Sequence, residues 1–544
     1  MANDPWKDVK DGFAPIGWLL KGVGGATRMG LGAYHLSNQV RANNEAIKQY
    51  EEAELQRQRN AENDKRIKKS FADAEKTRRE IENSVVPDAL GDGRLGNLED
   101  AAADDLLNPN GLFIGALNNT PLFYNGDAHL LNYGLTRSGK GTDLVLTNLA
   151  HVFNRSIVVN DIKDGENAYA SADYRESKGH KIICLNPHNV DIGGRPSFRL
   201  NPFQRIIDKA QSGESVGEDS LQIVMSLVPP SHGDDAWVSE GAQQILATWL
   251  EWCACFYPDN CTLSNMWRFV MNTFDDDLAL ILDCQNEKLE SQAKKVSGFR
   301  EAEKQWQAYQ SKLTTALWNF APDSPFAIAT ETTDFEPADL RNEKTTLYLV
   351  GNSDVLEASQ QWVALTITAI VAACAQTQGK YTSTFIIDEM ANLPYMEILP
   401  KALTMYAGKG VQLFGLCQGR EALKAKGYKE HDIKNFEAQS GLMTMWNIKE
   451  TALLQDIEKW SGQKTVAVKG INQGGGQVEH GGLGLSHQKR PVLQAEDIAA
   501  VGKGRQLLRT NGQHLYIADR ISWYNVDGWK TALRDPRPEH RYKK

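Results

Sequence analysis

The chain has 544 residues, 41% hydrophobic and 24% charged, with a formal net charge of −9. That length calls for roughly two to four structural units, and the acidic balance excludes a globally basic surface, leaving a local patch or pore lining for any contact with nucleic acid. Seven scattered cysteines exclude a disulfide framework. Cys253, Cys255 and Cys261 lie close together without the histidine spacing of a zinc site, so they read as reduced, packed thiols, in keeping with the cytoplasm.

No secretory signal opens the chain, because Asp4, Lys7, Asp8 and Lys10 precede any apolar run. The stretch "FAPIGWLLKGVGGATRMGLGAY" (13–34) contains Lys21 and Arg28. Each charge costs about 2.5–3.5 kcal/mol near the centre of a membrane helix, so the expectation is a segment lying on a surface or docked on a partner. Residues 36–85 are polar, charged and free of proline and glycine, which predicts exposed helices and makes 1–85 a helical N-terminal extension. The acidic stretch 86–111, punctuated by Pro87, Gly91, Gly93, Gly96 and Pro109, predicts a linker.

From Leu112 the pattern changes. "LFIGAL" and "PLFYNG" predict short strands, and "AHLLNYG" (128–134) runs into "LTRSGKGTD", followed by the helical spacing of "LVLTNLAHVF". "SIVVND" (156–161), a helix and "KIICLNP" continue the alternation. It returns late in "TTLYLVG", "TSTFIIDEM" and "VQLFGLCQ". Strands alternating with helices predict a parallel sheet covered on both faces, with 112–215 and 329–544 as two parts of one α/β nucleotide-binding domain. Between them, 216–328 is rich in helical patterns and tryptophan and reads as an inserted all-α domain. The uncharged run 359–379 is too short in its apolar part to span about 30 Å of hydrocarbon and reads as a buried helix. The glycine-rich run 470–488 predicts a mobile surface loop, and the basic tail from Lys530 a solvated terminus.

The loop Gly134–Thr142 carries the chemistry. A glycine loop between a strand and a helix turns backbone N–H groups toward phosphates, with Lys140 as a point charge. Gly141 stands where a metal-binding hydroxyl is usual, and Thr142 comes one residue late. Alone, the loop leaves a phosphate cradle and a structural glycine turn both open. Asp388 and Glu389 at the end of "TFIID" supply what a nucleotide-bound metal needs: Asp388 to hold Mg2+, Glu389 to orient the attacking water. Gln418, closing the next strand, is placed to sense a terminal phosphate.

The order "PLFYNGDAHLLNYGLTRSGKGTDLVLTNL", "SIVVNDIKDGEN", "HKIICLNP", "LNPF", "FIIDEMANL", "LCQGREAL" and "RPVLQAEDI" resembles the coupling proteins of type IV secretion and conjugation. The resemblance implies a RecA-like P-loop NTPase fold with an inserted all-α domain, hexameric assembly, and ATP with Mg2+. It puts Gly134, Thr136, Arg137, Ser138, Gly139, Lys140, Gly141 and Thr142 on the phosphates, Thr142 and Asp388 on the metal, and Lys140, Glu389 and Gln418 in catalysis. Asp161, Lys163 and Glu166 match the family's second-strand motif, with Asp164 as an extra residue. Implied partners are single-stranded DNA, a relaxase complex and the secretion channel, with the chain peripheral to the inner face of the cytoplasmic membrane. Two features depart from the family. No convincing pair of N-terminal membrane helices is present, and Ala407 stands where an arginine is usually contributed to the neighbouring subunit's site. A recruitment platform with little hydrolysis and a soluble DNA-processing ATPase are therefore the alternatives.

Overall fold

A computed structural model describes residues 92–537, apart from 232, 472–482, 503 and 513, and scattered positions between 55 and 69. By contacts the chain divides into two units. In the first, Met1–Pro87 with Gln477–Leu485, the described positions from 55 to 69 are helical and exposed. The expectation for 13–34 lies outside the described residues. The second unit, Asp88–Gly476 with Ser486–Lys544, holds the α/β body.

Its centre is an eleven-stranded sheet in the order β2-β1-β13-β12-β9-β3-β8-β7-β4-β6-β5. Strands β3 (His129–Gly134), β4 (Ser156–Asp161), β5 (Lys181–Leu185), β6 (Thr345–Val350), β7 (Ser383–Ile387), β8 (Val411–Cys417) and β9 (Ser440–Trp446) all pair in parallel. Beyond β9, β12 (Arg505–Thr510), β13 (Leu515–Asp519), β1 (Leu112–Leu117) and β2 (Thr120–Tyr124) extend the sheet in antiparallel fashion. The alternation of each central strand decides its two cores. Leu131, Val158, Phe385 and Ile387 face one cluster, and Leu130, Ile157, Val159 and Ile386 the other. Both faces are buried, so the strands read as continuous apolar runs.

Between β5 and β6 the described chain is helical, from Gln204–Gln211 to Pro325–Ala329. Its longest member, Ala236–Phe256, buries Ile245, Leu246, Trp249 and Leu250 at helical spacing. Trp249 stacks on Phe269 and donates its ring N–H to Asp277 at 2.9 Å. The uncharged run forms the Leu356–Gln376 helix, and 83% of its apolar window is buried inside the protein, as a core helix requires.

Two expectations change. Residues 92–111, read as linker, carry a helix at Leu98–Ala103 closed by an Asn97 capping box. Their backbone also bonds to the body, Gly93 N to Gln463 O and Gly96 N to Leu515 O. The glycine-rich run is only partly loop, because β10 (Gln463–Ile471) and β11 (Leu483–Pro491) pair as a two-stranded sheet. Glycine lowers the propensity for a strand but leaves the backbone donors and acceptors that pairing uses.

Candidate nucleotide site

Strand order makes the site. β3, β8, β7 and β4 lie side by side and parallel, so their C-terminal ends share one edge, where open α/β sheets bind ligands. β3 feeds the glycine loop, and β7 feeds Asp388 and Glu389. β8 runs between them, with Cys417 level with Tyr133 and Gly415 level with Ile387. Arg137 to Thr142, Asp388 and Glu389 consequently line one cavity of about 230 Å³, together with Asn160, Lys163, Glu166 and Arg537. Gly134, Thr136 and Gln418 are outside the lining. Gln418 is half-buried, one residue past the Tyr133–Cys417 pair.

The loop is shaped by backbone constraints. Arg137 and Gly139 have φ of +57° and +96°, and a side chain at Gly139 would crowd Asp143 Oδ2 at 2.9 Å. Lys140 leads into a π-helical turn, Gly141–Val145, and then the Leu146–His151 helix. Its ammonium is buried and donates to Gly134 O at 2.8 Å and Leu135 O at 3.2 Å. Burial lowers its pKa, and the nearby Glu389 and Asp388 oppose that shift. Thr142 Oγ1 donates to Gly139 O and, at 2.7 Å, to Asp143 Oδ1. A Cβ on Gly141 would meet nothing within 4 Å.

Residues from the far end of the chain brace this loop. Trp446, ending β9, donates its ring N–H to Ser138 Oγ at 2.9 Å. Arg520 donates to Ser138 O at 2.5 Å, lies 3.4 Å from Asp143 Oδ2 and covers the Trp446 ring at 4.6 Å. Ser522 donates to Asp143 Oδ1. Asp143, Trp446, Arg520 and Ser522 carry no sequence signal of a role at the loop, since only the fold joins them.

The acidic pair is held equally firmly. Asn160 clasps the Asp388 backbone, its Nδ2 donating to Asp388 O at 2.7 Å and its Oδ1 accepting from Asp388 N at 2.5 Å. Glu389 sits in the left-handed region, φ +53° and ψ 44°, a strained geometry for a non-glycine residue. Asn392 donates to Glu389 Oε2 at 3.0 Å. Both carboxylates are buried, and Asp388 Oδ1 has no hydrogen-bond partner among the described residues. A buried, unpartnered carboxylate oxygen beside a phosphate-type loop is a donor set that fits a hard divalent cation. Lys163 Nζ lies 3.3 Å from Asp388 Oδ2 and 3.4 Å from Glu389 Oε1. Partial burial would lower its pKa, but the two carboxylates outweigh that and raise it.

Asp161 also lines the cavity, whereas Ala407 lies elsewhere. Asp161 accepts from the backbone N–H groups of Asn167 and Ala168 and so caps the Glu166–Ser177 helix. Ala407 is half-buried and Lys409 exposed on a short 3-10 turn. Arg420 is buried in a bidentate pair with Glu437, at 2.6 and 2.7 Å, and a third contact with Asp456 at 2.6 Å. Those three contacts commit its guanidinium within the chain.

A family model described as Type IV secretory system Conjugative DNA transfer matches residues 97–543. Protein VirD4 of Rhizobium rhizogenes is 20% identical over 404 residues, covering 73% of this chain and 58% of its own length. The conjugal transfer protein TraG of Escherichia coli is 24% identical over 417 residues, covering 69% and 62%. The chain thus spans less than two thirds of the curated relatives it matches. Among solved structures, the bacterial conjugative coupling protein TrwBdeltaN70 in its unbound form has a TM-score of 0.59 at 15% identity, over 82% of this chain and 95% of that one. Plasmid coupling protein TrwB in complex with ADP and Mg2+ gives 0.58 at 16%, over 82% and 96%. The fold is thus the RecA-like α/β domain with an inserted all-α domain, and with the family match over 97–543 the chain belongs to the type IV secretory conjugative DNA-transfer family of coupling proteins.

Proposed function

We propose that the chain is a coupling ATPase that recruits a DNA–relaxase complex and drives single-stranded DNA to a secretion channel. The observation that carries this is the strand order, which gathers the glycine loop and the acidic pair around one cavity. TrwB in complex with ADP and Mg2+ makes the same ligands the first to try. In this reading the N–H groups of Arg137 to Thr142 and the Lys140 ammonium take the ATP phosphates, Lys140 leaving its own carbonyls to do so. Thr142 and Asp388 hold Mg2+, which when bound neutralises charge on the phosphate oxygens. Glu389 orients a water for attack on the terminal phosphorus and accepts its proton as the bond to ADP breaks. Gln418, at the end of the intervening strand, senses the terminal phosphate. Assembly as a hexamer, cargo selection by the all-α domain and a peripheral place at the cytoplasmic membrane complete the proposal.

One observation favours a second reading, a nucleotide-dependent recruitment platform with little turnover. Ala407 offers no cation to a neighbouring site, and Arg420 is consumed internally. An arginine finger is worth about 10³–10⁵ in rate. ATP turnover with and without single-stranded DNA decides. DNA-stimulated hydrolysis lost in Lys140→Ala and Glu389→Gln supports the motor, whereas tight ATP binding with negligible turnover selects the platform. Failure to bind ATP with Mg2+ overturns both.

A further inference from the structure

Two lysines stand near the acidic pair, and they are differently engaged. Lys140 is bonded to carbonyls of its own loop, while Lys163 bridges Asp388 and Glu389. The backbone that carries Lys163 is fixed on both sides. Asp161 caps the following helix, and Asp164 accepts from Ser353 N at 2.9 Å and Ser353 Oγ at 2.6 Å. Asp164 and Gly165 both adopt positive φ, +54° and +67°, and a Cβ on Gly165 would strike Ile192. Only the Lys163 side chain, 52% exposed, is left to move. Contacts of 3.3 and 3.4 Å from a half-exposed ammonium are weak and exchangeable. On the same pair, Asp388 Oδ1 is buried and has no partner among the described residues.

We infer that Lys163 is a resident counter-cation of the acidic pair, displaced by a divalent metal only when the metal arrives with nucleotide phosphates. The inference rests on the reading that this cavity takes a metal–nucleotide complex. A divalent ion approaching Asp388 alone meets the ammonium at contact range, and like charges so placed repel strongly. With nucleotide present, the phosphate oxygens offer the ammonium a new anionic partner a short swing away. Metal and nucleotide therefore bind cooperatively, and by linkage each tightens the other by the same factor. Lys163 acts as a positioning residue for the metal through the carboxylates it covers.

The test is Mn2+ binding by the full-length protein without nucleotide, read from the electron paramagnetic resonance of free Mn2+. Wild type binds weakly, and Lys163→Met binds one ion at least about tenfold tighter, as removal of a like charge from a cation site requires. Lys163→Gln gives the same gain and Lys163→Arg none, with unchanged thermal unfolding confirming that the half-exposed position tolerates each. Adding Asp388→Ala to Lys163→Met abolishes the gain. The cooperativity between Mn2+ and a non-hydrolysable ATP analogue shrinks by a matching factor in Lys163→Met. Equal Mn2+ affinity in wild type and Lys163→Met, with analogue binding intact in both, overturns the inference alone. Absence of analogue binding in wild type at any Mn2+ concentration overturns the nucleotide reading and the inference with it.

Discussion

Asn160→Leu tests how the acidic pair is held. Asn160 is 1% exposed, and its amide makes both of its bonds to the backbone of Asp388. The β4–β7 ladder has its last register pair at Val159 and Ile386, so this side chain takes over where the backbone pairing stops. Leucine has nearly the same shape and neither polar atom. It leaves the Asp388 N–H and C=O buried without partners, at about 1–3 kcal/mol each, or roughly 2–6 kcal/mol together. That is a large share of the ~5–15 kcal/mol by which typical domains are stable. Urea unfolding followed by tryptophan fluorescence reads the loss, and titration with a fluorescent ATP analogue with and without Mg2+ reads the site. The expected result is a lower unfolding midpoint and a Mg2+-dependent affinity weakened more than the Mg2+-independent part. Loss of less than about 1 kcal/mol with wild-type Mg2+ dependence would refute the claim that Asn160 sets the carboxylates.

Gly141→Ser puts a hydroxyl directly after Lys140 in open space, so the fold is retained and Mg2+-dependent analogue affinity rises by titration. Unfolding also shifts upward by roughly 0.5 kcal/mol, because glycine is a poor helix residue. Arg420→Ala strands the buried Glu437 and costs about 3–5 kcal/mol in denaturant unfolding. Because its guanidinium is paired within the chain, ATP turnover per folded chain is expected to stay unchanged. His129 is buried, accepts from Leu413 N at Nδ1 and faces Ala402 O with Nε2, and burial lowers its pKa to about 4. Below its ordinary 6.5 the unfolded chain binds a proton that the native chain refuses, so stability falls as pH drops from 6.5 toward 4, by roughly 3 kcal/mol in all. His129→Gln flattens that slope in thermal melts taken across the same range, and an unchanged slope would contradict the assignment.

The cavity-lining residues were legible where one short segment contained both a strand and the polar residue that closes it. "LLNYG" before the loop and "TFII" before Asp388 each declare a strand end, and the alternation around them declares parallel packing. Asn160 was not legible, because an amide inside "IVVND" resembles any polar residue closing an apolar run; its value lies in the neighbouring strand. The Lys163 contact spans 225 positions and depends on β4 lying beside β7. β9, β12 and β13 went unmarked because "GLMTMW", "RQLLRT" and "LYIAD" are short and mixed. Sequence does not display the two acidic partners, Glu437 and Asp456, that neutralise Arg420.

The bracing of the phosphate loop also fixes when in synthesis the site comes into being. Ser138 leaves the ribosome early, whereas Trp446 lies 308 residues later and Arg520 382 residues later. A nascent chain that has emerged only through β8 carries the glycine loop without either brace. Ligand stabilises only the form that binds it, so under the proposed nucleotide reading ATP would favour a chain that carries both braces over one that stops at β8. Occupancy of the pocket would then report that both braces, from β9 and from the segment after β13, are in place.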